Sequence, residues 1–373
     1  MCANLSAMNR EPNSDRSLDQ SKEERTIKLG MDVHAVQITI CRQEGGLLPQ
    51  PAQKMPWDKA LAWIAGLVAS GARVYSCYEA GPCGYSLHRQ LLAMGVSNFV
   101  VTPQRLDQHC KRVKTDKSDA RQLADRLDRY VRGNTAAFSV VRVPTEEQEQ
   151  RRALGRQRAM VVKDLNRCIV RGHGILLAQG HHAPSGWWKQ TNWARLRKTL
   201  PGWLREQLEL WQAQALGLDK QLQALSLKVE ALVQGKTIPK GLGTLTAALL
   251  AGEMLDWGRF KNRRQVASFT GLCPSEKSSG GKRIQGAINR HGNPRLRHLL
   301  VEAIWRLERY QPGYRPVEKL RKTTGARSRK KLATAAARRL AVDLWRIETG
   351  QCSAQQLGLK LASSLPKPQP MPA

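Results

Sequence analysis

The sequence predicts a mixed fold (α/β plus α), in which an α/β domain precedes a longer and mainly helical second half. Two observations carry this prediction. Short strand patterns alternate with helical patterns up to residue 143, and apolar residues recur at helical spacing beyond it. Shifts in composition predict a disordered tail (1–25), an α/β domain (26–143), a helical region (144–236), a compact basic domain (237–350) and a mostly disordered tail (351–373).

Period-two alternation and short apolar runs predict the strands of the α/β domain. We expect strands at 27–33, 36–40, 74–78 and 99–101. The first two are expected to pair antiparallel through a turn near His34. Apolar residues at helical spacing predict helices at 60–68, 85–94 and 118–131. Asp58 and Ser118 are the candidate N-caps of the first and third of these helices.

A heptad pattern dominates the helical region. Apolar residues alternate at spacings of four and three, at Leu204, Leu208, Trp211, Ala215, Leu218, Leu222, Leu225, Val229 and Leu232. A helix over 146–170 carries a looser version of the pattern, and a Trp-rich segment over 180–203 separates the two. We therefore expect a coiled-coil hairpin. Its apolar seam either joins copies of the chain, which we favour, or packs within one chain, and the tryptophans serve as core or as stacking surfaces for bases.

The charge balance points to a polyanionic partner. Lys and Arg total 61 while Asp and Glu total 30, which leaves a net charge of +31. Such an excess repels itself unless an anion neutralises it, so nucleic acid is the first partner to expect. No apolar run approaches the roughly 18 residues of a spanning helix, and the polar start lacks the core of a signal peptide. Eight cysteines without a CxxC pair argue against structural zinc and disulfides. We expect a soluble, intracellular protein with no membrane partner.

Four acidic residues occupy positions where metal-dependent chemistry would need them. Asp32 and Glu79 each follow a predicted strand, and Asp116 and Asp119 lie on one face at the start of a helix. Magnesium needs clustered oxygen ligands, and two such ions can hold both oxygens of a phosphoryl displacement. The alternative for each residue is a solvated loop carboxylate.

A Gly/Ser/Lys segment over 271–282 precedes a turn and a basic helix in the compact basic domain. Asn293 caps that helix and Pro294 takes its first position, which predicts a helix over 294–307. Helices are also expected at 244–254 and 328–345. Small residues allow a backbone to approach phosphate, and a serine there would attack phosphorus, whereas a flexible polar loop is the alternative. We expect contacts to nucleic acid from Lys114, Lys117, Lys277, Lys282, Arg283, Arg290, Arg295 and Arg297.

Three motifs carry a resemblance to a known family. The order of strands resembles the ribonuclease-H-like fold of RuvC-type junction resolvases. Within that fold, Gly30-Met31-Asp32-Val33-His34, Tyr78-Glu79-Ala80-Gly81 and the stretch from Lys114 to Ala120 (Lys-Thr-Asp-Lys-Ser-Asp-Ala) resemble the DEDD motif of insertion-sequence transposases of family 110. The resemblance covers nearly the whole chain beyond residue 26. The sequence Ser-Ser-Gly-Gly-Lys fits the subgroup numbered 1111 better than it fits the parent group. Piv-type DNA invertases are related.

The resemblance implies a mechanism. Asp32, Glu79, Asp116 and Asp119 would hold Mg2+, and Ser279, in a C-terminal serine transposase domain, would be the nucleophile that forms a phosphoserine link to DNA. Strands of donor and target DNA would recombine through a Holliday junction, guided by a bridge RNA. The family implies a homotetramer in the bacterial cytoplasm, associated with the nucleoid.

Two other readings of the same residues remain open. The carboxylates would serve a junction-resolving nuclease that uses metal-activated water, or the chain would be a non-catalytic nucleic-acid-binding protein with a vestigial site. Ser278 and Ser275 lie close enough to Ser279 to compete for the role of nucleophile.

Overall fold

The computed structural model describes residues 25–103, 115–279 and 281–363. The predicted disordered tail over 1–25 lies outside them except for Arg25, and so do Lys114 and Gly280. The chain is a mixed α/β protein, mostly helical, and it divides after Val143 into two compact units. The further boundaries expected at residues 236 and 350 remain predictions.

A five-stranded sheet forms the centre of the first unit, in the order β3-β2-β1-β4-β5. Its strands are β1 (Thr26–Val33), β2 (Gln37–Glu44), β3 (Gln53–Pro56), β4 (Arg73–Glu79) and β5 (Ser97–Val101). β1, β4 and β5 run parallel, while β2 is antiparallel to both β1 and β3. Three helices complete the unit: α1 (Trp57–Ala69), α2 (Ser86–Ala93) and α3 (Asp116–Val131).

The alternation of β1 divides its side chains between the two faces of the sheet. Ile27, Leu29 and Met31 are fully buried and pack in one apolar core with residues of α1 and α2. The residues between them face α3 on the other side. There Lys28 forms a buried ion pair of 2.5 Å with Asp128 of α3.

Gly30 lets α3 lie directly on β1. A Cβ atom at this position would stand 2.2 Å from the carbonyl oxygen of Ala120 and 2.3 Å from the backbone nitrogen of Ala124. Because only a residue without a side chain permits this approach, Gly30 sets the distance between β1 and α3. The start of α3 is thereby fixed over the end of β1.

Three details of the first unit differ from expectation. β3 was not predicted, because the sequence Gln-Lys-Met-Pro shows no apolar alternation and pairs with β2 as an edge strand. The N-cap of α3 is Thr115, and Ser118 is its partner in a capping box in which each side chain accepts from the other's backbone amide. The cap of α1 is Pro56, so Asp58 lies in the first turn instead.

Two long helices begin the second unit, α4 (Glu146–Ala178) and α6 (Gly202–Ala231), and the short α5 (Gln190–Leu196) lies between them in sequence. Arg158 Nε donates to Ser226 Oγ and Cys168 Sγ contacts Gln214 Oε1, so α4 and α6 run antiparallel. Leu204, Leu208 and Ala215 of the heptad pattern are fully buried beside α4 residues. The α4 of the same chain therefore covers part of this seam, while Trp211, Leu218 and Leu222 are only partly buried. An oligomer through the seam remains a prediction.

The tryptophans between these helices are mostly core residues. Trp187, Trp188 and Trp193 are buried with α4 and α6, whereas Trp203 is 56% exposed. A Cβ on Gly172 would lie 1.9 Å from Trp187 Cζ2, which shows how closely that ring packs on α4. Of the four candidate stacking surfaces, Trp203 alone keeps an exposed ring.

The rest of the second unit packs around two central helices, α9 (Pro294–Tyr310) and α11 (Ala326–Glu348). Around them lie α7 (Thr244–Met254), α8 (Arg263–Thr270), α10 (Arg315–Arg321) and the strands β6 (Thr237–Pro239), β7 (Pro274–Ser279), β8 (Lys282–Ile288) and β9 (Leu361–Ser363). α7 has the predicted bounds, while α9 and α11 are each longer than predicted.

The end of the chain requires a correction. Residues 351–363 were expected to be mostly disordered, yet they include a 3-10 turn (Gln355–Leu357) and β9. β9 pairs antiparallel with β6, and Gln311 donates to the carbonyl of Lys360 at 2.7 Å. Backbone pairing and the burial of Ala354 and Leu359 in the apolar core of the second unit both order this segment. Residues 364–373 lie outside the described part of the chain.

Among the described residues, none of the helices combines the length and apolar character needed to cross a bilayer.

Candidate functional site

Asp32 and Asp116 meet at the end of β1. Asp32 is the last residue but one of β1, and Asp116 is the first residue of α3. The capping box of Thr115 starts α3 at this point, and the contact at Gly30 brings the helix start to the strand end. Together with His34, these residues place three ligand atoms within 4.8 Å of one another.

His34 lies between the two carboxylates. Its Nε2 atom is 3.2 Å from Oδ2 of Asp32 and 3.8 Å from Oδ2 of Asp116. The sequence motif included His34, but it was not predicted as a ligand. The signal was present, because residues two apart at a strand end point to the same face.

Glu79 and Asp119 lie near this group without belonging to it. β1 and β4 pair in parallel with Met31 opposite Tyr78, so Asp32 and Glu79 take neighbouring positions at the same sheet edge. Asp119 lies one turn of α3 from Asp116, and its charge acts on Asp32. Within the described residues, the three ligand atoms at mutual distances below 4.8 Å come from Asp32, His34 and Asp116.

Lys54 is a further member of the site that the sequence did not reveal. It lies on the unpredicted strand β3, and its Nζ atom donates to Oδ2 of Asp116 at 2.6 Å. A positive charge thus already stands beside the carboxylates.

The protonation of the two aspartates differs. Burial raises the pKa of Asp32, the charges of Asp116 and Asp119 add to this, and the contact with His34 opposes it. The hydrogen bond from Lys54 lowers the pKa of Asp116, with the charge of His34 contributing. Lys54 therefore favours the anionic form of Asp116, whereas burial opposes the ionisation of Asp32.

These residues fit a divalent cation. Carboxylate oxygens are the ligands of Mg2+ and Mn2+, and an imidazole nitrogen is accepted by Mn2+. The donors come from rigid elements and converge on one point, and all three remain partly exposed. Exposure leaves positions free for water or for a phosphate oxygen.

The serine segment forms a β-hairpin, where the sequence had left a flexible polar loop as the alternative. β7 and β8 pair antiparallel, with Ser279 opposite Lys282 and Ser278 opposite Arg283. Ser279 is the last residue of β7, and Gly281, which precedes β8, adopts φ +78°. The side chains of these four paired residues lie outside the described part of the structure. A hairpin holds the backbone of Ser279 more firmly than a loop would.

The basic residues predicted to contact nucleic acid occupy different environments. Lys117, Lys277 and Arg290 are exposed, and Arg290 adopts φ +58° in the turn before α9. Arg297 donates to the carbonyl of Thr270 at 3.3 Å, so it also has a structural role.

Glu253 anchors the start of α9 in the second unit. It is buried on α7, and its carboxylate accepts two hydrogen bonds of 3.1 Å from Arg156 and one of 2.8 Å from the N-cap Asn293. Burial alone would raise the pKa of Glu253, but the hydrogen bonds from Arg156 and Asn293 outweigh it and lower the pKa. Arg295, another predicted contact, lies 3.9 Å from this carboxylate.

A basic chain with a carboxylate cluster at the end of a sheet strand is typical of the class of proteins that act on nucleic acid. Comparison of the sequence with known proteins identifies the family. The profile described as transposase IS116/IS110/IS902 family matches residues 236–318. The y4rJ protein of Sinorhizobium fredii, provisionally named a transposase, is 30% identical over 298 residues, which are 72% of this chain and 75% of that protein. The transposase for insertion sequence element IS1533 of Leptospira borgpetersenii is 26% identical, over 75% of this chain and 85% of its own. That for IS1111A of Coxiella burnetii is 28% identical, over 63% and 66%.

This chain belongs to the IS116/IS110/IS902 family of insertion-sequence transposases. The resemblance indicated by the sequence motifs is confirmed.

Proposed function

We propose that the protein is a DNA recombinase that moves an insertion sequence by cutting and rejoining strands through a serine-linked intermediate. The convergence of Asp32 and Asp116 carries the proposal, because the chain brings two distant acidic residues to one point at the edge of a sheet. Carboxylates brought close together repel each other, and a bound divalent cation would relieve that repulsion.

The sheet supports a ribonuclease-H-like first domain. Two antiparallel strands precede parallel ones in the order β3-β2-β1-β4-β5, as the resemblance to RuvC-type resolvases implies. In this arrangement Asp32 and Glu79 lie at one end of neighbouring parallel strands, and α3 supplies Asp116 and Asp119.

We propose that these four acidic residues hold Mg2+. A bound divalent cation supplies positive charge to the scissile phosphate and stabilises the charge that develops on its oxygens. Asp116 is already anionic beside Lys54, and Asp32 accepts the cation at the end of the rigid strand β1.

Ser279 is the proposed nucleophile. Its Oγ atom forms a bond to phosphorus while the bond from phosphorus to a sugar oxygen breaks, and the serine proton leaves as the sugar oxygen gains one. The resulting phosphoserine retains a phosphodiester, so a second strand can reverse the step without an added energy source. The position of Ser279 at the end of β7, before two glycines, leaves the backbone open to a phosphate.

Donor and target DNA are the proposed substrates, and a bridge RNA is the proposed guide. The exposed cations Lys117, Lys277 and Arg290 and the net charge support binding to phosphates. The exposed ring of Trp203 supports stacking on an unpaired base. A homotetramer is the proposed assembly, and the partly buried residues of the α6 seam are one surface that could join its copies.

Replacement of one acidic residue tests the metal role. Asp32→Ala or Asp119→Ala should abolish Mg2+-dependent DNA cleavage while a gel shift shows binding retained, because affinity arises from many Lys and Arg contacts. Asp125→Ala, a change in the body of α3, is the matched control and should cleave normally. Unchanged cleavage by either site variant would contradict the metal role of these acidic residues, and a wild-type protein that does not cleave would favour the non-catalytic reading.

A further inference from the structure

His34 is fixed in the turn between β1 and β2 from both sides of its backbone. Its amide donates to the carbonyl of Gln37 at 3.0 Å, and its carbonyl accepts from Trp57 Nε1 at 2.9 Å. The turn therefore presents the imidazole at a defined place rather than on a free loop. The side chain is half exposed, which leaves one side open to solvent.

The imidazole completes a convergent set of donors. Nε2 stands 3.2 Å from Oδ2 of Asp32 and 3.8 Å from Oδ2 of Asp116. Ligand atoms of one cation, each about 2.1 Å from it, are separated by roughly 3 Å in an octahedral site. These spacings match that geometry to within a small side-chain rotation.

Lys54 shares this site with any bound cation. Its ammonium stands 2.6 Å from the same oxygen of Asp116 that faces His34. A metal ion that binds this oxygen therefore competes with Lys54 for it.

We propose that Nε2 of His34 is a further protein ligand of the divalent cation, beside the acidic residues, and that it shifts the preference of the site from Mg2+ toward Mn2+ and Co2+. This inference rests on the proposed metal role of Asp32 and Asp116. Mg2+ binds almost entirely to oxygen, whereas the affinity of an imidazole nitrogen rises along the series from Mn2+ to Co2+. The identity of residue 34 therefore sets which ion the enzyme takes.

Mn2+ binding to the full-length protein tests the inference without reference to activity. Electron spin echo spectroscopy of bound Mn2+ should show coupling to a directly coordinated nitrogen, and calorimetry should give the affinities for Mn2+ and Mg2+. His34→Ala should lose the nitrogen coupling and weaken Mn2+ binding roughly tenfold or more, with Mg2+ affinity changed by less than about threefold. His34→Asp should favour Mg2+ instead. Val36→Ala, an 80% exposed apolar residue of the same turn, is the control and should match the wild type.

The outcomes separate this inference from the proposed function. If wild-type protein binds Mn2+ in a manner that Asp32→Ala abolishes, yet shows no nitrogen coupling, the ligand role of His34 is wrong and the metal site stands. If Asp32→Ala leaves Mn2+ binding unchanged, or none is bound, both fail. Equal losses of Mn2+ and Mg2+ in His34→Ala would overturn the claim of selectivity.

Discussion

Gly30→Ala should damage the metal site without touching any ligand. The new Cβ would stand 2.2 Å from the carbonyl oxygen of Ala120, where ordinary contact begins near 3.4 Å. The atoms that the new Cβ would meet, the carbonyl oxygen of Ala120 and the nitrogen of Ala124, belong to the backbone of α3. The whole of α3 must therefore move away from β1 by about 1 Å. Asp116 moves with α3 while Asp32 stays with β1.

The magnitude follows from that displacement. Forcing an extra methyl group into a packed contact costs about 1–3 kcal/mol of unfolding free energy. A shift of about 1 Å between groups that must act together costs on the order of 100-fold in rate. Thermal unfolding measures the first effect, and Mg2+-dependent DNA cleavage with the residual folded protein measures the second.

Gly66→Ala is the matched control in the same unit. Gly66 lies within α1, and a Cβ there would meet nothing within 4 Å. This change should raise stability by about 0.5–1 kcal/mol and leave cleavage unaltered. If Gly30→Ala behaves like Gly66→Ala in both assays, the account of how β1 and α3 position the acidic residues is wrong.

Three further changes test other contacts. Lys54→Met should raise the affinity for divalent cations roughly two- to tenfold at low salt, and less at high salt, because a competing charge is removed; calorimetry at two ionic strengths decides, and lower affinity would contradict it. Glu253→Gln should cost about 1–3 kcal/mol at pH 7. Because folding lowers the pKa of Glu253, the difference in unfolding free energy between wild type and variant should shrink as the pH falls below about 4. Urea unfolding of both proteins at pH 7 and below pH 4 measures this difference, and an equal difference at the two pH values would refute the prediction. Gly172→Ala should lower the melting temperature by driving Trp187 from its place, whereas Gly174→Ala, which meets nothing within 4 Å, should not; equal melting would disprove the contact.

Local signals allowed the sequence to predict much of the fold. α7 has the predicted bounds, and α9 begins at Asn293 and Pro294 as expected, because an N-cap and a proline act within one turn. The four predicted strands of the sheet are present in the structure. They could be predicted because apolar alternation and short apolar runs are also local signals. The positions of Asp32 after a strand and of Asp116 at a helix start already suggested a shared metal site, and the family motif grouped them.

Features that depend on backbone pairing between distant residues could not be predicted from the sequence. β3 and the hairpin of β7 and β8 lack apolar alternation, so their strands are defined by partners rather than by composition. Because β3 was not predicted, Lys54 could not be recognised as a residue of the site. The heptads of α6 show that a partner helix exists, but not that it is α4 of the same chain.

A covalent link between protein and DNA tests the central claim most directly. Wild-type protein incubated with donor and target DNA and Mg2+ should yield a slow band in a denaturing gel, and peptide mapping should place the attached nucleotide on Ser279. Ser279→Ala should lose this band together with the recombinant product, whereas Ser278→Ala should keep both. Full recombination by Ser279→Ala would contradict the account, and cleavage without joining in that variant would favour a nuclease that uses water.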